Sequence, residues 1–579
     1  MTRVWRLLFA AAAGWIVALL HRGGPLAVDE IEFFRATKWI GHGQVPFRDF
    51  WEHHTPLQWV LFAPIARLFG NGPGVNAVLA MRWAQLALWI AIFALLVRIA
   101  RRSGVDPWPA LVLLLVSTTF VRKAIEYRID VPANLAYLGG LSLVAFGATP
   151  RRWVGFGALM SLAVLTNMRM MPLVVLTAIV ALWANRSAKA IALQLAGVLA
   201  IAALFIGSLL LTGAWPHFVT DVIGYNVQTS DVLQVDTFFD TLLLPLWTLD
   251  VGGIAFLVAA ATGMVLALRD FRERGPLQLL AVLTLAALAV IAWMQVQYDY
   301  HFQHVYLLML PLAALALEKL QRPAWQVVTA TVAAASLLIG VSQATPTFGA
   351  AMAYQDAVMT SADRLTTPDE TILDGAGYAL RRTPAYRYWF LPYGIRAMAA
   401  KRLIDPYDLP DLTAAPPAAI IYDYRLALYL QAFPDLARYV TTHYLPVYRN
   451  LWVPGMTTYA GPSPRRVTWI APRAGRYQVY ASEVLTRHPW LTNPIGYASR
   501  EGPLATRYEI PLAQLPPAAP ETLQWTVDGV PQPPGVQVLT LRKGARVDLD
   551  ANPPRGTGIL LVPRGIGTLC IATAEEQLF

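Results

Sequence analysis

The chain has 579 residues, 56% of them apolar and only 14% charged, against about 45–50% apolar, glycine included, and about 25% charged in soluble domains. A chain that is soluble throughout is excluded. The single cysteine, Cys570, rules out an intrachain disulfide and any cysteine-built zinc or iron–sulfur centre, so a metal site here would have to use histidine and carboxylates. The formal net charge of +10 comes without a basic and aromatic groove pattern, which argues against a nucleic-acid partner.

The apolar excess is confined to residues 1–349, where long apolar runs alternate with short charged loops. Eleven runs are long enough, with some short or tilted, to cross about 30 Å of hydrocarbon: 4–20, 75–98, 107–121, 131–148, 153–168, 171–184, 190–212, 250–268, 277–295, 302–317 and 325–341. Lysine and arginine near the span ends place the N-terminus in the cytoplasm. Thirteen of the seventeen acids before residue 350 then fall on the outer side. The first run lacks a clean small-x-small cleavage site and reads as a span rather than a signal peptide. An odd number of spans delivers the C-terminal part to the same outer, periplasmic or extracellular side. The spans surround themselves with membrane lipids, and the basicity reports topology.

Residues 350–464 alternate short apolar strands (371–373, 419–422, 448–453) with a helical stretch at 424–441, the pattern of a small α/β domain. A joint at Gly461-Pro462-Ser463-Pro464 ends it. Residues 465–579 hold short alternating strands at 467–470, 475–480, 536–541 and 558–562, the pattern of a β-sandwich. There is no Walker sequence or other nucleotide-binding glycine loop, which argues against an ATP-driven pump.

The outer charges cluster most densely in the first outer loop, 21–74. Residues 29–41 and 56–69 have helical apolar spacing and predict two amphipathic helices on the membrane face. Asp29 and Glu30 stand where the first span ends and the first such helix begins. An acid there serves either as a first-turn charge favoured by the helix dipole or, paired with its neighbour, as a general base or metal ligand; spacing leaves both open. A second cluster, Arg122-Lys123-Ala124-Ile125-Glu126-Tyr127-Arg128-Ile129-Asp130, puts three cations on the outer side, against the positive-inside bias. Their partner is either lipid headgroups and the loop acids or a phosphate held at the membrane surface. A third, Gln297-Tyr298-Asp299-Tyr300-His301-Phe302-Gln303-His304, is either an interfacial aromatic belt or a sugar platform, and His301 and His304 share a helix face.

The Asp-Glu pair directly after the first span, the Gly43-x-x-Pro46-Phe47-x-Asp49-Phe50 element followed by His53-His54-Thr55-Pro56, and Arg128-x-Asp130 before span four together resemble the GT-C membrane glycosyltransferases. Within them the pattern is most similar to the bacterial relatives of the protein O-mannosyltransferases and of the lipid A aminoarabinose transferase. The resemblance covers about 1–345. It implies a polytopic α-helical membrane protein of GT-C type, with the first outer loop carrying the catalytic motif. It also implies an inverting transfer of a sugar from a polyprenyl-phosphate donor to an envelope lipid, glycan or protein acceptor on the outer side of the bacterial inner membrane. Carried over residue by residue, it makes Asp29, with Glu30 beside it and Asp130 at the polar centre, the catalytic acids. Arg122, Lys123, Arg128 and His54 face the donor phosphate; His54 stands where the aminoarabinose transferase has lysine, a departure that weakens any assignment to lipid A. His53, Tyr127, Tyr300 and His301 are substrate or metal candidates, and a divalent cation is a possible cofactor with Asp29, His53 and Asp130 as ligands.

Two rival functions fit the same composition. A flippase for lipid-linked saccharides would show broken or polar spans near the midplane; the spans here are nearly uninterrupted. A glycan polymerase or ligase would carry its dominant outer loop late in the bundle, and the loop at 213–245 with Tyr225, Asp231 and Asp236 keeps that alternative alive.

Overall fold

The computed structural model describes residues 2–22, 25–147, 149–185, 188–229, 238–269, 275–294, 298–320, 323–459, 465–491, 494, 507–515, 523–551 and 558–572. The Gly461–Pro464 joint, Gln297, Asp231 and Asp236 lie outside them. The chain divides into two compact units, one of residues 1–72 and 76–352, the other of 73–75 and 353–579.

The first unit is helical. Among the described residues seven helices are long and apolar enough to cross a membrane: α1 (Thr2–Arg22), α4 (Asn76–Arg102), α10 (Ala188–Leu211), Val251–Arg269, Pro276–Trp293, the segment Asp299–Lys319, and the first part of Pro323–Leu365. The other four expected spans fall on shorter helices. These are α5 (Trp108–Val116) with α6 (Thr118–Ala124), α7 (Asp130–Val144), α8 (Pro150–Thr166) and α9 (Met171–Asn185). The break between α5 and α6 is at Ser117, whose side chain accepts from the Phe120 N–H and so caps α6.

Lipid gives apolar side chains little reason to prefer each other over acyl chains, so helices in it associate where small residues let backbones close. Gly157 of α8 and Gly197 of α10 meet this way: a Cβ on Gly157 would run into the Gln194 carbonyl, and one on Gly197 into the Val154 carbonyl. Gly263 packs likewise against the Leu312 carbonyl of Gln303–Lys319, the most enclosed of the seven helices at 78% buried.

The two helices expected to lie on the membrane face are α2 (Val28–Gly41) and α3 (Leu57–Phe69). For α2 the expectation needs correcting, because Glu30 through Lys38 are all buried. Its polar side chains find partners inside the protein: Glu30 takes Arg82, and Thr37 takes the Tyr127 hydroxyl at 2.8 Å. α3 does keep an exposed apolar side at Val60, Leu61, Leu68 and Phe69.

The second unit begins with a five-stranded sheet. β1 (Thr371–Asp374), β2 (Thr383–Pro384) and β3 (Ala419–Ile421) run parallel, and the hairpin β4 (Tyr444–Tyr448) and β5 (Leu451–Pro454) joins antiparallel beside β3. The single strand expected at 448–453 is thus the turn and second arm of a hairpin, reversed at Arg449 with φ 50°. The expected helix 424–441 is two, Tyr424–Ala432 and Pro434–His443, because Pro434 has no N–H to continue the first.

The remaining strands are β6 (Met456–Tyr459), β7 (Arg465–Ile470), β8 (Gly475–Ser482), β9 (Arg507–Pro511), β10 (Leu523–Val527), β11 (Val530–Pro531), β12 (Val538–Leu541), β13 (Arg546–Ala551), β14 (Gly558–Pro563) and β15 (Thr568–Ala572). Two antiparallel sheets, β12-β8-β14-β6 and β11-β10-β13-β7, share one core that includes Trp469, Tyr477, Val479, Trp525, Leu549 and Leu561. β6 precedes the expected joint yet pairs with β14, so the sandwich takes residues from both sides of it.

Candidate functional site

The charged groups of the first outer loop and of residues 122–130 come together in the helical unit. Arg128 is their centre. Its Nε donates to Asp130 Oδ2 at 3.1 Å, Nη1 to Glu126 Oε2 at 3.0 Å and Nη2 to Asp29 Oδ2 at 3.2 Å. Its backbone N–H is held by Gln85, and its guanidinium lies 3.6 Å from the centre of the Tyr300 ring, a cation–π contact. One buried cation thus serves three carboxylates. Of these Asp29 is 29% exposed, while Glu126 and Asp130 are 8%, so Asp29 is the one most open to solvent.

Glu30, next in sequence, has no such access. It is fully buried, grips Arg82 at 2.7 and 2.5 Å, and accepts from the backbone N–H of Tyr127 and of Ala27. The bond to Ala27 satisfies an N-terminal donor of α2, the glutamate half of a capping box. Capping therefore belongs to Glu30, whose acceptors are taken up in tying α2 to α4 and to residue 127. Tyr127 is enclosed in the same way. Its ring is buried and its hydroxyl is bound to Thr37, which makes it core.

Three of the expected phosphate ligands are also reassigned. Arg128 is already saturated. Lys123 pairs with Glu126 at 3.0 Å and lies 3.9 Å from Asp299. His54 is turned toward carboxylates. Arg122 alone of the four stays exposed and has no ion pair among the described residues. Asp130 is fixed on its other oxygen by Asn167, whose Nδ2 donates to Oδ1 at 2.9 Å; it is a support for Arg128.

Asn167 leads to a residue that sequence reasoning missed. Its Oδ1 accepts from the Arg169 N–H at the start of a single 3₁₀ turn. The Arg169 guanidinium, exposed and with no ion pair among the described residues, reaches His301 Nε2 at 2.7 Å and the Tyr300 hydroxyl at 3.4 Å. Tyr300 and His301 thus stand at the head of the enclosed helix, with Tyr300 between the two guanidiniums. The available signal was Asn167 and Arg169 interrupting an otherwise apolar stretch between two helices; polar groups in such places are costly unless they serve a purpose.

A second cluster joins α2 to the loop 51–55. Glu32 Oε1 lies 3.4 Å from His53 Nδ1 and 3.6 Å from His54 Nδ1, and Glu52 Oε1 lies 3.4 and 3.0 Å from the same atoms. Burial, with the neighbouring charge of Glu52, pushes the Glu32 carboxyl up to about 8. Burial opposes charge on His54 as well, but the facing carboxylates of Glu32 and Glu52 hold it up at about 9. Burial and the charge of His54 push His53 down to about 4. Burial also works against Glu52, which the facing imidazoles of His53 and His54 nevertheless keep at about 2. These four are the described residues whose donor atoms could together hold a metal ion. Of the expected set of Asp29, His53 and Asp130, only His53 belongs to this cluster; Asp29 and Asp130 are turned to Arg128. Glu32 and Glu52 stand outside the motif elements read from the sequence, and only the fold brings them to the two histidines.

No family model matches the chain, and no curated protein matches it in sequence. Among solved structures it is similar to ArnT from Cupriavidus metallidurans bound to undecaprenyl phosphate, with a TM-score of 0.58 at 17% identity over 77% of this chain and 97% of that one. The apo form of the same protein gives 0.57 at 17% identity over 78% and 97%. A weaker match is the mycobacterial arabinofuranosyltransferase AftD, 0.41 at 14% identity, covering 98% of this chain and 62% of that one. The fold is that of the ArnT structures, a bundle of apolar helices followed by sheet-containing C-terminal structure.

Proposed function

We propose that the chain is an inverting membrane glycosyltransferase that moves a sugar from a polyprenyl-phosphate donor to an envelope lipid, glycan or protein on the outer side of the inner membrane. The observation that carries this reading is Asp29, a carboxylate oriented by Arg128 and the most exposed of the three that share it. Asp29 takes the proton of the acceptor hydroxyl or amine as its lone pair attacks the anomeric carbon. The bond from that carbon to the phosphate oxygen breaks, and its electron pair leaves with the lipid phosphate. Attack from the opposite face inverts the centre.

The leaving phosphate gains charge as the bond breaks, so cations that are not already neutralised contribute most. Arg169 and Arg122 meet that requirement, and Arg169 has the better support, held by Asn167 on one side and by Tyr300 and His301 on the other. The similarity to a structure bound to undecaprenyl phosphate supports a donor of that class. No nucleotide is needed, because the phosphodiester carries its own leaving group.

The test is mass spectrometry of lipid-linked sugars and envelope glycans from cells lacking the gene, complemented with wild type or Asp29→Asn. Wild type should restore one sugar to one envelope component and clear an accumulated polyprenyl-phosphate sugar, and Asp29→Asn should do neither. Equal complementation by both would overturn the reading.

A further inference from the structure

We propose that Glu32, Glu52, His53 and His54 form a four-coordinate site for a divalent transition-metal ion of the zinc class, separate from the carboxylates gathered around Arg128. The donor set comes first: two imidazole nitrogens and two carboxylate oxygens, all within 4.8 Å of one another. Four of the six edges of that polyhedron are 3.0, 3.4, 3.4 and 3.6 Å. A tetrahedral zinc with bonds of about 2.0–2.1 Å has edges of about 3.3–3.4 Å. Three of the four edges are longer than the about 2.7–3.2 Å that an N–H···O hydrogen bond prefers; they suit two ligands of one ion better than a donor and its acceptor.

The second observation is independent of the clustering. Two of those four donor atoms, Glu32 Oε1 and His53 Nδ1, are buried without a hydrogen-bond partner, and so is Oε2, the second oxygen of Glu52. Buried polar atoms in native proteins are rarely left so, and an unexplained group points to an ion or water. A divalent ion would satisfy atoms of this kind together and balance the two carboxylate charges with both imidazoles neutral.

The surroundings hold the rings as a metal site requires. His53 stacks on Trp51 with centroids 5.1 Å apart, and His54 meets the edge of Phe33 at 5.2 Å. Asn226 donates to the His53 carbonyl at 3.1 Å, and the backbone N–H groups of His53 and His54 both point at Glu52 Oε1. The mixed nitrogen and oxygen set selects zinc over magnesium or calcium, which take oxygen ligands. Four protein ligands close the coordination sphere, so the ion acts as a clamp that pins the loop 51–55 to α2 three residues beyond Asp29. It does not depend on glycosyl transfer being the activity.

The experiment uses the full chain in detergent, stripped with EDTA and reloaded with zinc chloride. Elemental analysis should return about one zinc per chain, and X-ray absorption should show four nitrogen and oxygen neighbours and no sulfur. Zinc should raise the melting temperature of wild type and of Asp29→Asn alike. Glu52→Gln and His54→Ala should each lose the bound zinc and the zinc-dependent rise. If either variant fails to fold, the wild-type EDTA and zinc titration decides by itself. The proposal is overturned if stripped wild type takes up no zinc, if the variants retain it, or if magnesium stabilises in its place.

Discussion

Around Arg128 one guanidinium serves three carboxylates, whereas among the described residues Glu32 and Glu52 pair with imidazoles alone. The first cluster is held in place by a charge that never titrates in the working range. The second is complete only when protons or a bound cation supply the missing positive charge. Fixed cations therefore position Asp29 and Asp130, and the segment 51–55 depends on what it binds.

Removing the exposed member of the first cluster should give the largest effect. Asp29→Asn should cost transfer about 10²–10⁴-fold, the usual share of a general base, with little change in melting temperature; a normal rate in a product assay would move the base elsewhere. Glu30→Gln, one residue away, should do the reverse. It strands the buried Arg82 guanidinium at a cost of about 3–5 kcal/mol, visible as a lowered melting temperature and poor yield. The pair Glu30→Leu with Arg82→Met should recover most of that stability; failure to recover would show that the bonds to Ala27 and Tyr127 matter more than the ion pair.

Arg169→Ala should raise the donor KM by about 10–100-fold, corresponding to about 1.5–3 kcal/mol for charge-assisted hydrogen bonds, and leave acceptor dependence unchanged. An equal loss for both substrates would place Arg169 outside the phosphate site. The smallest effect is expected for Tyr127→Phe, about 1 kcal/mol for one buried hydrogen bond, with no change in donor or acceptor kinetics. A kinetic change there would return Tyr127 to the substrate site.

What the sequence revealed and what it hid divide along physical lines. The long apolar runs and the alternating strands at 467–470 and 558–562 are local patterns, and they appear as elements where expected. Arg128-x-Asp130 and Asp29 carry a motif, so their meeting was legible although 99 residues separate Arg128 from Asp29. Arg82 gave its own signal, a charge inside an apolar helix, but nothing local says that Glu30 rather than Asp29 receives it. The burial of α2 was hidden for the same reason. Its charges read as solvent-facing until Arg82, Tyr127 and the two histidines are placed against them. Glu32 and Glu52 are twenty residues apart with a turn between, and only the path of that loop makes them neighbours. In the second unit, Arg449-Asn450 is a turn that looks like strand because apolar residues flank it on both sides.

The glycine contact between α8 and α10 reaches further than packing. α8 ends at Thr166, and the next three residues carry Asn167 and Arg169. With Gly157 pressed on the Gln194 carbonyl and Gly197 on that of Val154, the two helices have no slack to slide or rotate, and the arginine sits on the end of a rod whose height is set about three turns below it. A substitution such as Gly157→Val touches no charged group. It would nevertheless shift the end of that rod, so a lesion deep in an apolar helix would be read out at the bench as a poorer grip on a lipid-borne phosphate.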